Sequence, residues 1–429
     1  MNAANLISIV GAQETCIYNE PTETAWNDEI VTYTNFSYNL VKLLANVGGS
    51  NNYIEGDKLW NAHGNGDLVH TLYYELITPA IAPNTSSGKA TDCHWVNSVA
   101  FAAIQYALVM AGTQQCEKKH GRWMEAIMEY LYPVGKRFEE LCGKLDSEVA
   151  LIQSAKSDNR YVCPIMLSQT RWSCCAVPAI SAHHSTLQYK IGMSKLNSLT
   201  VNVGDDSLVP YKYGTSTPIT VNDIFCNVYA TNIFLDDAER ALMIVADLKY
   251  ITTDSIENFI DSTSAGNISM DTLTLNHPTK YGMWFLQRAE ATDGLTYQIG
   301  KVGVKDQFYY GADHGGETII HPNWQLNSQT TWPVGDIAPY FFRYLKVWES
   351  FPFCSNGLGG PKYFWTFGPE CHAWNPVKTV NMSRIDTIKF LAVNNCSTWT
   401  SGRIYFYTEV LNVLVVYGGV AGYLFGSAS

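Results

Sequence analysis

The chain has 429 residues, of which 16% are charged and 13% aromatic, and its formal net charge is −11. This acidic balance, with no run of Lys and Arg, argues against direct binding to a nucleic acid backbone. The eleven cysteines are odd in number and irregular in spacing, so we expect free thiols rather than the disulfide framework of a secreted protein.

The length suggests two domains of roughly 200 residues, each able to bury its own core. We expect an N-terminal arm over residues 1–25, a first domain over residues 26–205 and a second domain over residues 206–429. The polar segment 204–218, which contains Gly and Pro, is the expected linker. The first residues have no basic segment and only a short apolar patch, which argues against a secretory signal.

Most of the chain consists of short apolar or alternating runs separated by Gly, Pro, Asn and Asp. This pattern is typical of the strands of β-sandwiches. The clearest predicted strands are residues 199–203, 219–235, 281–286, 297–304, 385–393 and 404–416.

A few short helices interrupt this pattern. Helical spacing predicts one helix over residues 123–131, ended by Pro133, and a second from Arg137 onward that includes Leu145. Asp236 and Glu239 resemble a capping box before a short third helix. Residues 95–110 are apolar at both odd-numbered and even-numbered positions, so their spacing does not distinguish a strand from a helix.

Two further segments have ambiguous composition. Residues 404–425 are long enough to cross a membrane, but they contain Glu409 and a Gly418-Gly419 pair. We therefore expect a buried strand followed by a glycine-rich tail. Residues 309–333 are polar and are predicted to form a long surface loop.

Candidate chemistry is sparse. Adjacent Cys174-Cys175 and His183-His184, with Cys163, lack the ligand spacing of a zinc site, because neighbours on a strand point in opposite directions. The stretch 313–317 near His321 has no H-x-H pair and is interpreted as a solvated loop. No nucleophile elbow, phosphate-binding loop or zinc-protease motif is present. We expect no enzyme activity, no metal and no cofactor.

Short segments in a fixed order carry the most specific signal. In the first half they are Gly11-Ala12-Gln13-Glu14, Thr34-Asn35-Phe36-Ser37, Trp95-Val96-Asn97-Ser98, Gly112-Thr113-Gln114, Lys119-His120-Gly121 with Trp123, and Leu187-Gln188-Tyr189. In the second half they are Phe234-Leu235-Asp236 with Glu239-Arg240, Leu275-Asn276-His277-Pro278-Thr279-Lys280 with Trp284, Ser383-Arg384-Ile385-Asp386, and Asn412-Val413-Leu414 with Gly418-Gly419. The ordered set resembles the double jelly-roll major capsid proteins of nucleocytoplasmic large DNA viruses, such as iridoviruses, chlorella viruses and mimivirus relatives.

This resemblance implies an all-β fold of two tandem eight-stranded jelly-roll sandwiches, with short helices in the loops between strands. The residues that match the family's signature are expected to have structural roles; for example, His277 would hydrogen-bond the backbone and Pro278 would fix a strand entrance. The signature positions are Trp95, Asn97, Gly121, Trp123, Asp236, Glu239, Arg240, Asn276, His277, Pro278, Lys280, Trp284, Arg384 and Asp386.

The resemblance also implies a function. Three copies would form a homotrimer of nearly hexagonal outline that tiles an icosahedral shell, assembled in the host cytoplasm and found in the virion. Minor capsid proteins, penton proteins and internal membrane proteins would be the other partners. The N-terminal arm would contact inner shell proteins or an internal membrane.

Two alternatives remain open at this stage. Departures from the family pattern, such as Tyr281 after the His-Pro-x-Lys block, leave room for a minor or penton capsid paralogue. In a different class, a jelly-roll carbohydrate-binding protein or glycan-active enzyme could stack sugars on surface aromatics such as Trp324 and Trp332 in the long polar segment.

Overall fold

The computed structural model describes residues 34–46, 51–62, 64–131, 138–145, 147–204, 208–262, 265–271, 273, 275–288, 308, 310, 316–332, 337–351, 360–374, 379–396 and 402–426. The expected arm 1–25, the predicted strand 297–304 and the stretch 313–315 lie outside these residues. So do Pro133 and Arg137, where one predicted helix ends and the next begins.

The first part of the described chain is dominated by antiparallel strands. They are β1 (Phe36–Lys42), β2 (Leu44–Ala45), β3 (Gly56–Asn61), β4 (Leu68–Thr78), β5 (Ile81–Ala82), β6 (Asp92–Trp95), β7 (Ile104–Ala111), β8 (Gln114–His120), β9 (Asn159–Pro164), β10 (Val177–Pro178), β11 (Leu187–Met193), β12 (Thr200–Val203), β13 (Tyr211–Lys212) and β14 (Phe225–Leu235). Two main sheets result. One has the order β1-β14-β4-β10 with β9 also beside β4, and the other has the order β2-β3-β11-β7-β8.

The second part repeats this organisation. Its strands are β15 (Leu248–Ser262), β16 (Gly266–Met270), β17 (Pro278–Arg288), β18 (Ile319–Leu326), β19 (Gln329–Thr330), β20 (Lys362–Thr366), β21 (Val380–Asn381), β22 (Ile388–Asn394), β23 (Gly402–Tyr417) and β24 (Val420–Tyr423). One sheet has the order β15-β23-β17-β20, with β21 beside β17 and β24 beside β23, and the other has the order β16-β22-β18-β19.

The two parts share one strand order. If the eight main strands of each part are counted along the chain, one sheet holds the first, eighth, third and sixth, and the other holds the second, seventh, fourth and fifth. The main strands are β1, β3, β4, β7, β8, β9, β11 and β14 in the first part, and β15, β16, β17, β18, β19, β20, β22 and β23 in the second. This is a jelly roll repeated twice, which confirms the expected fold class.

The helices are short and lie in the connections. They are α1 (Val99–Ala102), α2 (Gly121–Leu131), α3 (Phe138–Leu141), α4 (Glu148–Ser154), α5 (Ser168–Arg171), α6 (Asp237–Val245) and α7 (Lys346–Ser350), with a π-helical turn at Phe341–Leu345. None of the described helices combines the length and apolar character that a membrane span requires. The nine cysteines in the described residues are free thiols, as expected.

Strand β17 is buried on both faces, which explains its continuous apolar run. Trp284 and Leu286 enter the core of the second sandwich, where Trp284 lies 5.1 Å from Phe390 between ring centroids. Met283 and Phe285 alternate with them and join a core shared with the first sandwich. Because successive side chains point to opposite faces, such a strand loses the usual apolar–polar alternation.

The sheets correct the expected domain boundary at residues 205 and 206. Strand β14, expected in the second domain, pairs with β4 from Phe225↔Ile77 to Ile233↔Leu68 and is the eighth strand of the first jelly roll. The change from one jelly roll to the other therefore falls at α6. The predicted strand 219–235 begins only at Phe225, because Val221–Asp223 forms a 3-10 turn.

Several local predictions also need correction. The segment 309–333 is not one loop, since it contains β18 and β19. The glycine-rich tail is strand β24, which pairs back onto β23 around Gly418-Gly419. The helix from Arg137 ends at Leu141 and does not reach Leu145.

The structure also assigns residues 95–110, whose spacing is ambiguous, and the predicted capping box at Asp236. Residues 95–110 contain the end of β6, helix α1 and most of β7. Asp236 is the N-cap of α6 as expected, but its side chain makes no capping hydrogen bond. The helix start is held instead by an ion pair of 3.2 Å between Arg240 Nε and Asp67 Oδ1.

Gly121 allows α2 to pack directly on β7. A Cβ at this position would lie 1.8 Å from the carbonyl oxygen of Ile104. We predict that Gly121→Ala lowers the free energy of unfolding by about 3 kcal/mol, because backbone must move to admit the methyl group. Gly316→Ala is the control, since nothing lies within 4 Å of its Cβ position. Equal stability of the two variants in denaturant titrations would contradict this account.

Candidate functional site: the junction between the sandwiches

The sequence-predicted positions do not form one site. Trp284 lies in the core of the second sandwich, and Trp95 is buried in the first. Asn97 fixes a loop, since its Oδ1 accepts from the backbone N–H of Leu145 at 3.0 Å. These positions stabilise separate parts of the fold.

The His-Pro segment closes the end of the second sandwich. His277 Nε2 lies 3.1 Å from the carbonyl oxygen of Gly426, and its Nδ1 lies 2.7 Å from Oδ1 of Asn276. Pro278 is the first residue of β17. His277 thus binds the backbone, and Pro278 marks a strand entrance.

Arg384 and Asp386 are exposed, and the backbone N–H of Asp386 donates to Oδ1 of Asn327 at 2.9 Å. Glu239 lies in α6 beside Arg240 and is partly buried.

Trp123 and Lys280 do converge, at the junction where the first sandwich meets the sheet β15-β23-β17-β20; Gly121 contacts the first sandwich at Ile104 and Phe101. Trp123 is buried there, with Lys119 Nζ 4.6 Å from its ring centroid. Lys280 Nζ donates to the carbonyl oxygen of Ala373 at 3.0 Å. The junction contains several buried charged side chains, among them Lys119, Lys280 and Glu409, and we take it as the candidate functional site.

Glu409 is the centre of the junction. It lies within β23, fully buried, and pairs with Arg171 of α5 and with Lys119 of β8, the latter at 3.7 Å. Lys119 Nζ also lies 3.9 Å from Glu117. Both cations belong to the first sandwich and Glu409 to the second, so the ion pairs cross the junction.

Hydrogen bonds extend the same network. Ser168 donates to Glu117 Oε1 through its backbone N–H at 2.7 Å and its hydroxyl at 2.8 Å, and its hydroxyl lies 3.1 Å from Thr253 Oγ1. The backbone N–H of Lys118 donates to Asp254 Oδ1 at 2.8 Å. Side chains of β15 thereby satisfy backbone donors of β8, the last strand of its sheet, which is one way to protect a sheet edge.

A second cluster joins α2 to β20. Glu125 pairs with Lys144 at 3.0 Å and accepts a short hydrogen bond from Tyr310. Glu129 pairs with both Lys144 and Lys362, and Lys362 belongs to β20. Buried charges are stable only when paired in this way.

Burial and neighbouring charges shift the pKa values of the junction groups in opposite directions. Although burial opposes ionisation, Arg171, Lys119 and Lys280 together hold the pKa of Glu409 well below its usual range. At Glu117 and Asp254 burial dominates, and it raises the pKa of Glu117 to about 7 and that of Asp254 to about 6. Burial also lowers the pKa of Lys119.

This arrangement acts as a clamp between the sandwiches. Its ion pairs and hydrogen bonds join side chains of the first sandwich to side chains of the second. Within the described residues, no group of three or more His, Cys, Asp or Glu side chains could hold a metal ion.

Most of these junction residues were missed by sequence reasoning. Arg171, Glu117 and Asp254 gave no signal, because their partners are distant in the sequence. Glu409 did give a signal, because it is a charged residue in the middle of an apolar run. That signal argues against a membrane span but does not indicate an ion pair.

The aromatic side chains proposed to bind sugars are not on the surface. Trp324 is 0% exposed and Trp332 is 4% exposed. Trp324 packs 5.2 Å from Phe406 between ring centroids, and Trp332 Nε1 donates to the carbonyl oxygen of Pro322 at 2.6 Å. Both are core residues, which corrects the expectation that they could stack on a sugar.

Removing the central charge should weaken the clamp. We predict that Glu409→Gln lowers the free energy of unfolding by about 3 kcal/mol, because Arg171 and Lys119 lose their anion while they stay buried. Asp261→Asn is the matched control, since Asp261 pairs with Arg403 in the same sheet but in solvent, where a pair contributes about 1 kcal/mol at most. Equal losses for the two variants in denaturant titrations would refute the clamp.

The raised pKa of Glu117 predicts a pH dependence of stability. A carboxyl whose pKa is higher in the folded state stabilises the fold fully below its unfolded pKa, and that stability is lost as the pH rises through about 7. Lowering the pH from 8 to 5.5 should therefore stabilise the native chain relative to Glu117→Gln, by about 1–3 kcal/mol.

The quantity to measure by denaturant titration is the difference in free energy of unfolding between the native chain and Glu117→Gln. His94 and His277 are buried, and His70 and His120 are half-buried. Loss of solvent lowers the pKa of all four, and they act in the opposite direction in both proteins. Parallel stability curves for the native chain and the variant would show that Glu117 does not titrate in this range.

No protein-family model and no curated protein matches the sequence. Solved structures do match the fold. The VP54 protein of PBCV-1, a crystal structure fitted into a reconstruction of the virophage Sputnik, matches with a TM-score of 0.72 and 16% identity over 94% of this chain and 100% of VP54. The Faustovirus major capsid protein matches with a TM-score of 0.66 and 10% identity, over 95% of this chain and 94% of that one.

The mavirus major capsid protein is a third match, with a TM-score of 0.51 and 11% identity over 95% of this chain and 94% of its own. Each comparison covers nearly the whole of both chains, so both jelly rolls are matched. The chain therefore has the double jelly-roll fold of the viral major capsid proteins that its sequence resembles.

Proposed function

We propose that this chain is a major capsid protein of a large double-stranded DNA virus and that its function is self-association. The observation that carries the proposal is the pair of jelly rolls with one strand order, matched from end to end by VP54 at a TM-score of 0.72. The ordered sequence signature supports it independently of the fold.

The duplicated fold suits a hexagonal lattice. Three copies of a chain with two similar sandwiches place six similar sandwiches around an axis, and the resulting outline is nearly hexagonal. The buried junction would hold the two sandwiches of each copy together in that arrangement. In this proposal the trimer is the building block, and the lattice forms from contacts between trimers.

The described surface offers apolar area for such contacts. Leu242 and Val245 of α6 are 71% and 83% exposed, and Tyr417 at the end of β23 is 69% exposed. Val416, the residue before Tyr417, pairs with Leu248, three residues after Val245, so these positions lie on one side of the protein. Exposed apolar patches of this kind mark interaction surfaces in monomers.

The finer parts of the proposal follow from the family resemblance. The protein would be found in the virion after assembly in the host cytoplasm, and it would act as a structural protein rather than an enzyme. Minor capsid, penton and internal membrane proteins would be its other partners. The division into an arm, residues 1–25, and two jelly rolls, with the boundary moved to α6, is part of this proposal.

A minor or penton capsid paralogue is the second candidate. It is favoured by the differences from the family's sequence pattern at Tyr281 and in residues 163–180. The copy number of the chain in purified particles distinguishes it from the major protein.

The native mass of the purified protein tests the proposal. We predict a species of about 143 kDa, three copies of the 47.8 kDa chain, with a nearly hexagonal outline in negative-stain images. Mass photometry or light scattering gives the mass. A stable monomer at micromolar concentration in native buffer would overturn the proposal.

A further inference from the structure

A cavity of about 430 Å³ lies between the two sandwiches, and none of the clamp's ion-paired side chains lines it. The first sandwich contributes the end of β8, the start of α2 and the segment that follows β11. The second sandwich contributes β15 and β23. The charged side chains in the described lining are Arg122, Lys195 and Glu257, with His120 beside them. A cavity of this size is typical of sites for small molecules.

Arg122 reaches this cavity without an acid partner. Its Nη1 donates to the hydroxyl of Tyr405 at 2.7 Å, and its guanidinium carbon lies 4.6 Å from the centroid of that ring. It forms no ion pair with an acid of the described residues, whereas Arg171 in the clamp pairs with Glu409. Its Nε is buried and unpaired, but its Nη2 is neither bonded nor fully buried. Nη2 is therefore the guanidinium nitrogen that an occupant can reach.

Glu257 brings the opposite charge from the second sandwich. Its Oε2 accepts a short hydrogen bond from the hydroxyl of Tyr407, which is its partner in the pairing of β15 with β23. Its Oε1 makes no hydrogen bond within the described residues and is not fully buried. No described Lys or Arg forms an ion pair with it. Glu257 is thus a carboxylate without a cation, in the same cavity as a guanidinium without an anion.

Two tyrosines of β23 hold these charges apart. Tyr405 and Tyr407 are two residues apart on the strand, so their side chains lie on the same face of the sheet. Their rings are nearly parallel, with 6.1 Å between the centroids. Because Arg122 is bonded to one hydroxyl and Glu257 to the other, the guanidinium and the carboxylate line one cavity without forming an ion pair of their own.

The neighbouring groups do not cancel either charge. Partial burial lowers the pKa of His120 to about 4, so its ring is uncharged at neutral pH and adds no cation beside Glu257. Lys195 is exposed and belongs to the first sandwich, as Arg122 does. The cations of the described lining therefore come from one sandwich and its carboxylate comes from the other.

Unpaired charges of opposite sign select a ligand that carries both. A carboxylate on the ligand can accept from Arg122 Nη2 in a charge-assisted hydrogen bond, and an ammonium group can donate to Glu257 Oε1. A simple anion would be repelled by Glu257, and a simple cation by Arg122. An uncharged sugar would leave both protein charges without a counter-charge.

We propose that this cavity binds a small zwitterion, a short aliphatic amino acid, with its carboxylate on Arg122 and its ammonium group on Glu257. The bound molecule joins the first sandwich to the second through its two charges and so reinforces the clamp. The site belongs to the single chain, so the inference goes beyond the capsid function and does not require assembly.

Calorimetric titration of the purified chain at fixed ionic strength tests this site. The probes are glycine, β-alanine and γ-aminobutyrate, in which the distance between ammonium and carboxylate increases. At least one of them should bind about tenfold or more tightly than butyrate or butylamine, because each of these lacks one of the two charge-assisted hydrogen bonds. The same probe should raise the midpoint of thermal unfolding, since it binds only where the two sandwiches are docked.

Glu257→Gln removes the charge but keeps an oxygen that accepts the hydrogen bond of Tyr407. The zwitterion should then bind about tenfold or more weakly, and no better than butyrate. Asp261→Asn is the matched control, because Asp261 lies on the same strand, pairs with Arg403 and does not line the cavity. It should bind the zwitterion like the native chain. Arg122→Gln is a second variant, in which the zwitterion should bind no better than butylamine.

Two results rule out this assignment and leave the capsid function standing. The first is a native chain that binds no member of the series more tightly than the two singly charged probes, since the cavity then does not select a zwitterion. The second is a zwitterion affinity that Glu257→Gln leaves unchanged, or that Asp261→Asn lowers equally, since the molecule then binds elsewhere or responds only to the overall charge.

Discussion

The architecture depends on one buried carboxylate. Glu409 lies in the middle of a strand that serves the core of the second sandwich on one face and the junction on the other, and its cationic partners Arg171 and Lys119 come from the first sandwich. A buried charge left without partners is strongly unfavourable. The two sandwiches are therefore held in one docking register, which apolar packing alone specifies less sharply because it is not directional.

The duplication is visible in the strand topology but not in the amino-acid sequence. Both halves use one strand order, although no run of residues is shared between them. This is expected, because a sandwich requires alternation, turns and total core volume more than particular side chains. A chain that carries the same shape twice can present nearly equivalent surfaces to several neighbours, which is the geometric requirement of a hexagonal arrangement built from three copies.

Sequence reasoning recovered the elements whose signal is local. Strands β12, β17, β22 and β23 follow from short apolar or alternating runs, helix α2 follows from helical spacing, and the ordered signature indicates the fold. Pro322 and polar residues interrupt strand β18, so its composition predicts a loop. A bulge at His321 accommodates the proline, so the strand continues on the other side.

Long-range features could not be predicted in the same way. Residues 117 and 409 share Lys119 as a partner, but nothing in either segment indicates the other. The pairing of β14 with β4 joins positions about 150 residues apart. Composition does not indicate such a long-range pairing, so the expected domain boundary put β14 in the wrong half. The role of Lys280 at the junction likewise depends on the carbonyl oxygen of Ala373 and the carboxylate of Glu409, which only the fold brings near.

The position of β14 in its sheet has a consequence for synthesis of the chain. It lies between β1 and β4, although it is the last strand of its jelly roll to leave the ribosome. Until it arrives, both of those strands present unpaired edges, a condition that favours association with the wrong chain. The first jelly roll can therefore close only after Leu235 has left the ribosome. Non-local pairing of this kind also folds slowly, so a nascent chain passes through a stage at which a protecting partner would improve its yield.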